Sequence, residues 1–430
     1  MQRFSNCIAF DGGSALALLQ SPPLAISDSV PAPIITDPLA LEQLCERLKS
    51  ASIIGIDTEF VSEDTFHPQL CLIQIATEHE LAAVDPLRLE NLDPFWRVMA
   101  EGDHVTVLHA GREELNFFLR SPIGKLPHSI YDVQIAAGFC STEFPSSYSS
   151  VVSKFLGHQP AKGEQRTDWR RRPLSAAQIN YALEDVRYLL PLYKKLTQII
   201  KNLNREEWLA DELHQWQTEI VAANGRRDWR RVSGIGKLGP RNLAIVRELW
   251  NWRQTEAEHR NIPAKRVLRD DLLVEIAKRK IDSPDQIMAI RGMDRGGAKR
   301  KAHELAEAVA RGLAGPTEKL SRGSRSDELP SQLNLLAQFL APALGTICRR
   351  AEIATSMVGT ATDVRELIAY RMESKHNGNE VPALAQGWRA ELVGNVIDDL
   401  LAGTRSIRIA NAHAEDPLVF DKVDEEPRHM

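Results

Sequence analysis

Five cysteines in 430 residues, none in CxxC spacing, are too few and too scattered for a disulfide scaffold or a zinc site. Cys7, Cys45, Cys71, Cys140 and Cys348 read as reduced thiols of a cytoplasmic protein. No apolar run approaches the roughly 20 residues of a transmembrane helix, and the N-terminus has no clear cleavage signal. Neither a membrane-embedded nor a secreted protein is expected. Positive charge is also short overall, with a formal net charge of −5. Its distribution is uneven, however. Residues 225–315 hold 21 Lys/Arg against 12 Asp/Glu, a local surplus of nine. A basic stretch in an acidic chain suits a nucleic-acid module joined to a carboxylate-rich site. Charge alone fits a solvated helical surface equally well.

The chain is too long for one ordinary domain, so two or three are expected. Residues 1–33, rich in Ser and Pro, read as a disordered tail. Between 34 and 205, β-branched runs (SIIGIDTEF, QLCLIQIAT, VTVLHA) alternate with helical patterns (LALEQLCERLKS, REELNFFLR). That alternation predicts an α/β domain with a mixed sheet, closed by one long amphipathic helix opening at Ser175. Beyond Glu206 strand signals vanish. Residues 225–315 predict a small all-α domain, 316–330 a polar linker, 331–410 a second all-α domain and 411–430 a charged, frayed tail.

Two acids interrupt the apolar run IIGIDTEFV. In a strand, Asp57 and Glu59 point to one face. Paired carboxylates on a buried strand repel each other and desolvate at a cost unless a cation lies between them. Hard oxygen ligands favour Mg²⁺ or Mn²⁺. The residues alone also allow the strand to end at Ile56, with both acids in a solvated turn. Far downstream in YALEDVRYL, Tyr181 and Asp185 stand four apart and share one helical face. A helix presenting Tyr and Asp to a strand presenting Asp and Glu would complete a two-metal site.

DTEF, PQLCLIQIA, HAGREEL, RTDWRRRPLS and QINYALEDVRYLLPLY, in this order and spacing, resemble the ribonuclease D family of DEDD-superfamily 3′-5′ exonucleases, Tyr subclass. The resemblance implies a ribonuclease H-like fold for the α/β domain. The helices that follow are similar to two helicase-and-ribonuclease-D C-terminal (HRDC) domains. By the same resemblance, Asp57, Glu59, Glu114, Tyr181 and Asp185 form the catalytic set, and the four acids hold two divalent ions, Mg²⁺ or Mn²⁺. Glu114 departs from the family's pattern, which has Asp as the second acid of HAGxEDL; the change keeps the charge and adds a methylene. Phe60 is implied at the terminal nucleotide, and as an apolar strand residue it fits the core equally well. His109 reads as structural or substrate-contacting, and Arg166 with Arg170 to Arg172 as near the phosphates, or as a solvated cluster around Trp169.

The function implied is removal of 3′ nucleotides from structured RNA, transfer RNA precursors among them, releasing 5′-mononucleotides. Two rivals stay open. One is a 3′-5′ exonuclease acting on DNA, since the same ligands serve either sugar. The other is an RNA-binding scaffold, weakened or inactive through Glu114.

Overall fold

Six apolar segments form strands: Ile34–Ile35 (β1), Ile53–Val61 (β2), Gln69–Ala76 (β3), Leu81–Val84 (β4), Val105–Leu108 (β5) and Ser129–Asp132 (β6). They assemble into one mixed sheet in the order β1-β4-β3-β2-β5-β6. β2, β3 and β4 pair antiparallel, while β1–β4, β2–β5 and β5–β6 pair parallel. The structure is a computed structural model and describes residues 34–160, 167–225, 228–293, 301–319, 331–372, 381–414 and 416–423. The expected tail at 1–33, Arg166 and most of the 316–330 linker lie outside these described residues.

Helices cover both faces, because the strands are apolar on both sides. Pro38–Leu48 (α1), Asp93–Glu101 (α2) and Arg112–Arg120 (α3) bury one face around Ile54, Ile56, Ile73 and Ile75. Val133–Gly138 (α4), Tyr148–Leu156 (α5), Ala176–Arg187 (α6) and Leu189–Asn202 (α7) close the other. Local chemistry sets the helix starts: Asp37 accepts from the Ala40 amide, and Ser175 with Gln178 forms a capping box.

The single helix expected after Ser175 is instead two, separated at Tyr188. Pro191 is the reason. It has no N–H to offer the Arg187 carbonyl, and its ring crowds that same oxygen. The Tyr188 amide donates to the Tyr148 hydroxyl instead.

Glu206–Gly225 (α8) leads out of this domain. A middle helical unit follows, built from Pro240–His259 (α9), Ala264–Val267 (α10), Asp270–Arg279 (α11), Pro284–Met288 (α12) and Ala302–Ala314 (α13). It encloses a core of its own, including Leu249, Leu273, Ile276, Leu305 and Val309. Trp250 is buried in it and Trp252 packs against it, so both serve packing.

The C-terminal unit comprises Ser331–Arg350 (α14), Thr355–Val358 (α15), Ala361–Met372 (α16), Gly387–Arg389 (α17) and Asn395–Ala402 (α18). It is not wholly helical. Arg405–Ile409 (β7) pairs antiparallel with Leu418–Lys422 (β8), so the tail expected to fray from 411 includes a strand. Arg350 Nη2 donates to the Leu418 carbonyl at 2.7 Å and Arg349 pairs with Asp416 at 2.6 Å, pinning the hairpin. Strands this short and this exposed leave little apolar pattern to read.

Candidate active site

β2 sits at the centre of the sheet, and its alternation sends Gly55, Asp57 and Glu59 toward the α6–α7 layer. A Cβ on Gly55 would lie 3.0 Å from Leu190 Cδ1 and 3.1 Å from Leu189 Cβ, so glycine lets α7 close tightly on the strand. That approach seats the end of α6 beside the acids. Tyr181 there hydrogen-bonds to Asp185 one turn on, while Glu184 is drawn aside by Arg187 at 2.7 Å. Between the two strand acids, Thr58 faces the other layer, and its Oγ1 donates to Glu114 Oε1 at 2.5 Å. Glu114 therefore arrives on α3 from the face opposite α6. A bulge after Glu59 then shifts the register of β2 against β3, and pairing resumes at Phe60 with Leu70.

The four carboxylates act on one another. Burial pushes Asp57 well above the usual carboxylate range, and Glu114, Asp185 and Glu59 add to the rise. Burial with the neighbouring acids lifts Glu59 to about 8. Glu114 is pushed up to about 7, mainly by burial and against the Thr58 hydrogen bond. Asp185 rises to about 6, again mainly by burial and against the Tyr181 hydrogen bond. Among the described residues none of the four forms an ion pair with Lys, Arg or His. Buried carboxylates without cationic partners either hold protons or take up a cation. The donor set, all hard carboxylate oxygen, fits a divalent ion. As they stand, no three His, Cys, Asp or Glu side chains among the described residues are arranged to hold a metal, so binding would draw them together.

The remaining predicted residues divide. Phe60 is half-buried and meets Phe117 edge-on at 5.7 Å, on the α3 side of the strand. His109 turns to the Ser146 carbonyl at 3.1 Å and packs on Tyr148 at 5.5 Å. Arg170 is half-exposed beside Trp169, whose buried ring lies 6.3 Å from that of Tyr181. Arg172 corrects the reading of the loop as a uniform phosphate patch. Its side chain is 13% exposed, pairs with Asp85 at 2.6 Å and donates to the Cys71 carbonyl, so it fastens the loop to the sheet. Arg166 lies outside the described residues.

Two polar residues near the site were not singled out in the sequence. Thr58 carried no signal beyond its place between the acids. Gln74 carried one: it is a lone polar residue inside the strand QLCLIQIA. It is fully buried, stands opposite Asp57 in the β2–β3 ladder, and neither amide atom has a hydrogen-bond partner among the described residues. A buried amide left bare costs about 1–3 kcal/mol.

The middle helical unit touches this domain at the β2–β3 loop, which follows the catalytic strand. Arg266 pairs with Asp64 at 2.8 Å, Asn261 Oδ1 accepts from the Phe66 amide at 3.2 Å, and Glu258 faces His67 at 3.6 Å. Asp64 also lies 3.5 Å from Arg170, so two arginines from different units converge on one carboxylate.

Residues 33–201 match the family model of a 3′-5′ exonuclease, and residues 242–309 that of the HRDC domain. Ribonuclease D of Sphingobium indicum is 31% identical over 388 residues, covering 88% of this chain and 97% of that one. Ribonuclease D of Gluconacetobacter diazotrophicus is 33% identical over 84% of this chain and 91% of its own. The crystal structure of Escherichia coli RNase D, described as an exoribonuclease involved in structured RNA processing, superposes with a TM-score of 0.72 at 26% identity. It covers 87% of this chain and 99% of that one.

Proposed function

The chain belongs to the ribonuclease D family and is a hydrolytic 3′-5′ exoribonuclease, and on that premise we propose that it trims the 3′ ends of structured cytoplasmic RNA, transfer RNA precursors included. The observation that carries the reading is the convergence of four uncompensated carboxylates from β2, α3 and α6. The family depends on divalent metal. Here Asp57, Glu59 and Asp185 would hold one ion and Asp57 with Glu114 a second, Mg²⁺ or Mn²⁺. Bound there, such ions supply positive charge at the scissile phosphate and acidify the attacking water.

The chain's own side chains do the rest. Burial beside Asp185 and Glu59 pushes the Tyr181 phenol well above its usual range, so it stays protonated. A protonated phenol is a hydrogen-bond donor and acceptor, not a base. It orients the attacking water, and the packed Trp169 ring limits its movement. Phe60 offers the terminal nucleoside an apolar surface backed by Phe117. His109 holds the turn that launches α3. Arg170 meets the backbone phosphate next along the strand, and the HRDC unit holds the RNA body through further phosphate contacts.

The test is digestion of an end-labelled, structured RNA with and without EDTA, beside a matched DNA. Release of 5′-mononucleotides, lost on chelation and reduced more than a thousandfold by Asp57→Ala, is expected. Equal rates on DNA would sink the RNA assignment. No turnover with RNA binding intact would turn the protein into a scaffold.

A further inference from the structure

β3 packs between β2 and β4, and its residues Leu72, Gln74 and Ala76 face the α6 layer as Asp57 and Glu59 do. Across the ladder the pairs on this side are Gly55 with Ala76, Asp57 with Gln74, and Glu59 with Leu72. On its other flank Gln74 stands opposite Ala83 of β4. Within this row Gln74 is therefore the polar neighbour that β3 gives to Asp57. It is 0% exposed, and neither Oε1 nor Nε2 is hydrogen-bonded among the described residues. The residues on either side of it, Ile73 and Ile75, are apolar, and a methionine of similar length would fill the same space without a bare amide.

Directly opposed residues of an antiparallel pair carry their Cβ atoms about 5 Å apart. A glutamine side chain spans that gap to a carboxylate by rotation about its own torsions. Asp57 is the acid shared between both ions in the reading above, so the plane of its carboxylate must be fixed as they bind, and a carboxylate oxygen on a metal keeps a lone pair that can accept an N–H. Partners of ligating carboxylates of this kind change metal affinity by about ten- to a hundredfold when removed.

We propose that Gln74 is a positioning residue of the exonuclease site, its Nε2–H donating to the Asp57 carboxylate and fixing its plane when divalent ions bind. The inference rests on the reading of Asp57 as a metal ligand. Its test is Gln74→Met in the full chain, read three ways. Metal-free Gln74→Met should melt at or above the wild-type temperature, because a bare amide has been removed. Its Mn²⁺ affinity, by calorimetric titration, should fall by about tenfold or more. Its kcat on labelled RNA should fall in step while KM for RNA holds.

In an Asp57→Ala background the same substitution should leave residual Mn²⁺ binding unchanged. Wild-type Mn²⁺ affinity and kcat in Gln74→Met would overturn the proposal, leaving the amide a packing residue. If Met disturbs the fold, Gln74→Leu takes its place; failure of both to fold would overturn it too, by making the amide a folding requirement. Full activity in Asp57→Ala alone would strike the underlying reading instead, which separates the two failures.

Discussion

The two helical units downstream of the exonuclease domain look alike in sequence and differ in how they attach. The HRDC unit closes its own core and meets the domain through polar, exposed contacts at the β2–β3 loop. Among the described residues the C-terminal unit has no separate core. Leu340, Leu344, Ile353, Val364 and Trp388 join one apolar cluster with Phe139, Leu189 and Leu196 of the domain. Gly138 permits that contact, since a Cβ there would fall 2.0 Å from Met357 Sδ. The buried Arg205 then bonds the carbonyls of both Phe139 and Ala351, and Arg389 grips Glu212 at 2.8 and 3.0 Å. One unit is built as a body of its own; the other shares the core of the exonuclease domain.

The most severe way to break this contrast is deletion. A chain ending after Glu318 exposes the shared apolar face around Phe139, takes the Ala351 carbonyl from Arg205 and removes Trp388 and Arg389 from Glu212. It should aggregate or lose cooperative unfolding in calorimetry, whereas residues 228–318 expressed alone should unfold cooperatively. A soluble, active truncation would show that the shared core is dispensable.

A pH series should sharpen the contrast next. Folding lifts Glu59, Glu114 and Asp185 to about 8, 7 and 6 from ordinary values of 4.5, 4.5 and 3.8. Between those values the folded protein keeps protons that the unfolded chain has released, so the contribution of these three groups to metal-free stability is full below about pH 4 and falls as pH rises toward 8. Mn²⁺ should restore it, and more so at higher pH, because the ligands must be ionised. In the HRDC unit, side-chain hydrogen bonding to Arg269 lowers Asp271; Asp270 is also lowered, the Arg253 hydrogen bond and charge outweighing the opposing effect of burial. Their contribution is lost only in acid, so its melting transition should stay flat from pH 5 to 8. A common pH dependence of both transitions would argue against two bodies.

The smallest effect belongs to the seam. Arg266→Ala removes an exposed ion pair and should change stability by less than about 1 kcal/mol. If RNA phosphate displaces Asp64 from Arg266 and Arg170, the salt slope of RNA binding should fall by about one. An unchanged slope would leave the seam a static contact.

Much of the site could be read before any fold was known, because its signals are local. Two acids at i and i+2 in an apolar strand share a face whatever packs against it, and Tyr181 and Asp185 at i and i+4 share a helix face in the same way. Glu114 was legible only through family resemblance, since nothing around it marks its direction. Thr58 and Gln74 are single residues without periodicity, and their roles depend on which strand lies opposite and which layer lies above.

Sequence by itself determined most element types of the exonuclease domain and the middle unit, the caps at Asp37 and Ser175 and the basic middle, all set by chemistry within a few residues. Tertiary structure alone decided that Glu114 reaches the site from the far side of the sheet, that Gln74 lies beside Asp57 and that the C-terminal helices share the enzyme's core. Those outcomes depend on layers packing across long stretches of chain, and no local pattern encodes where two distant surfaces meet.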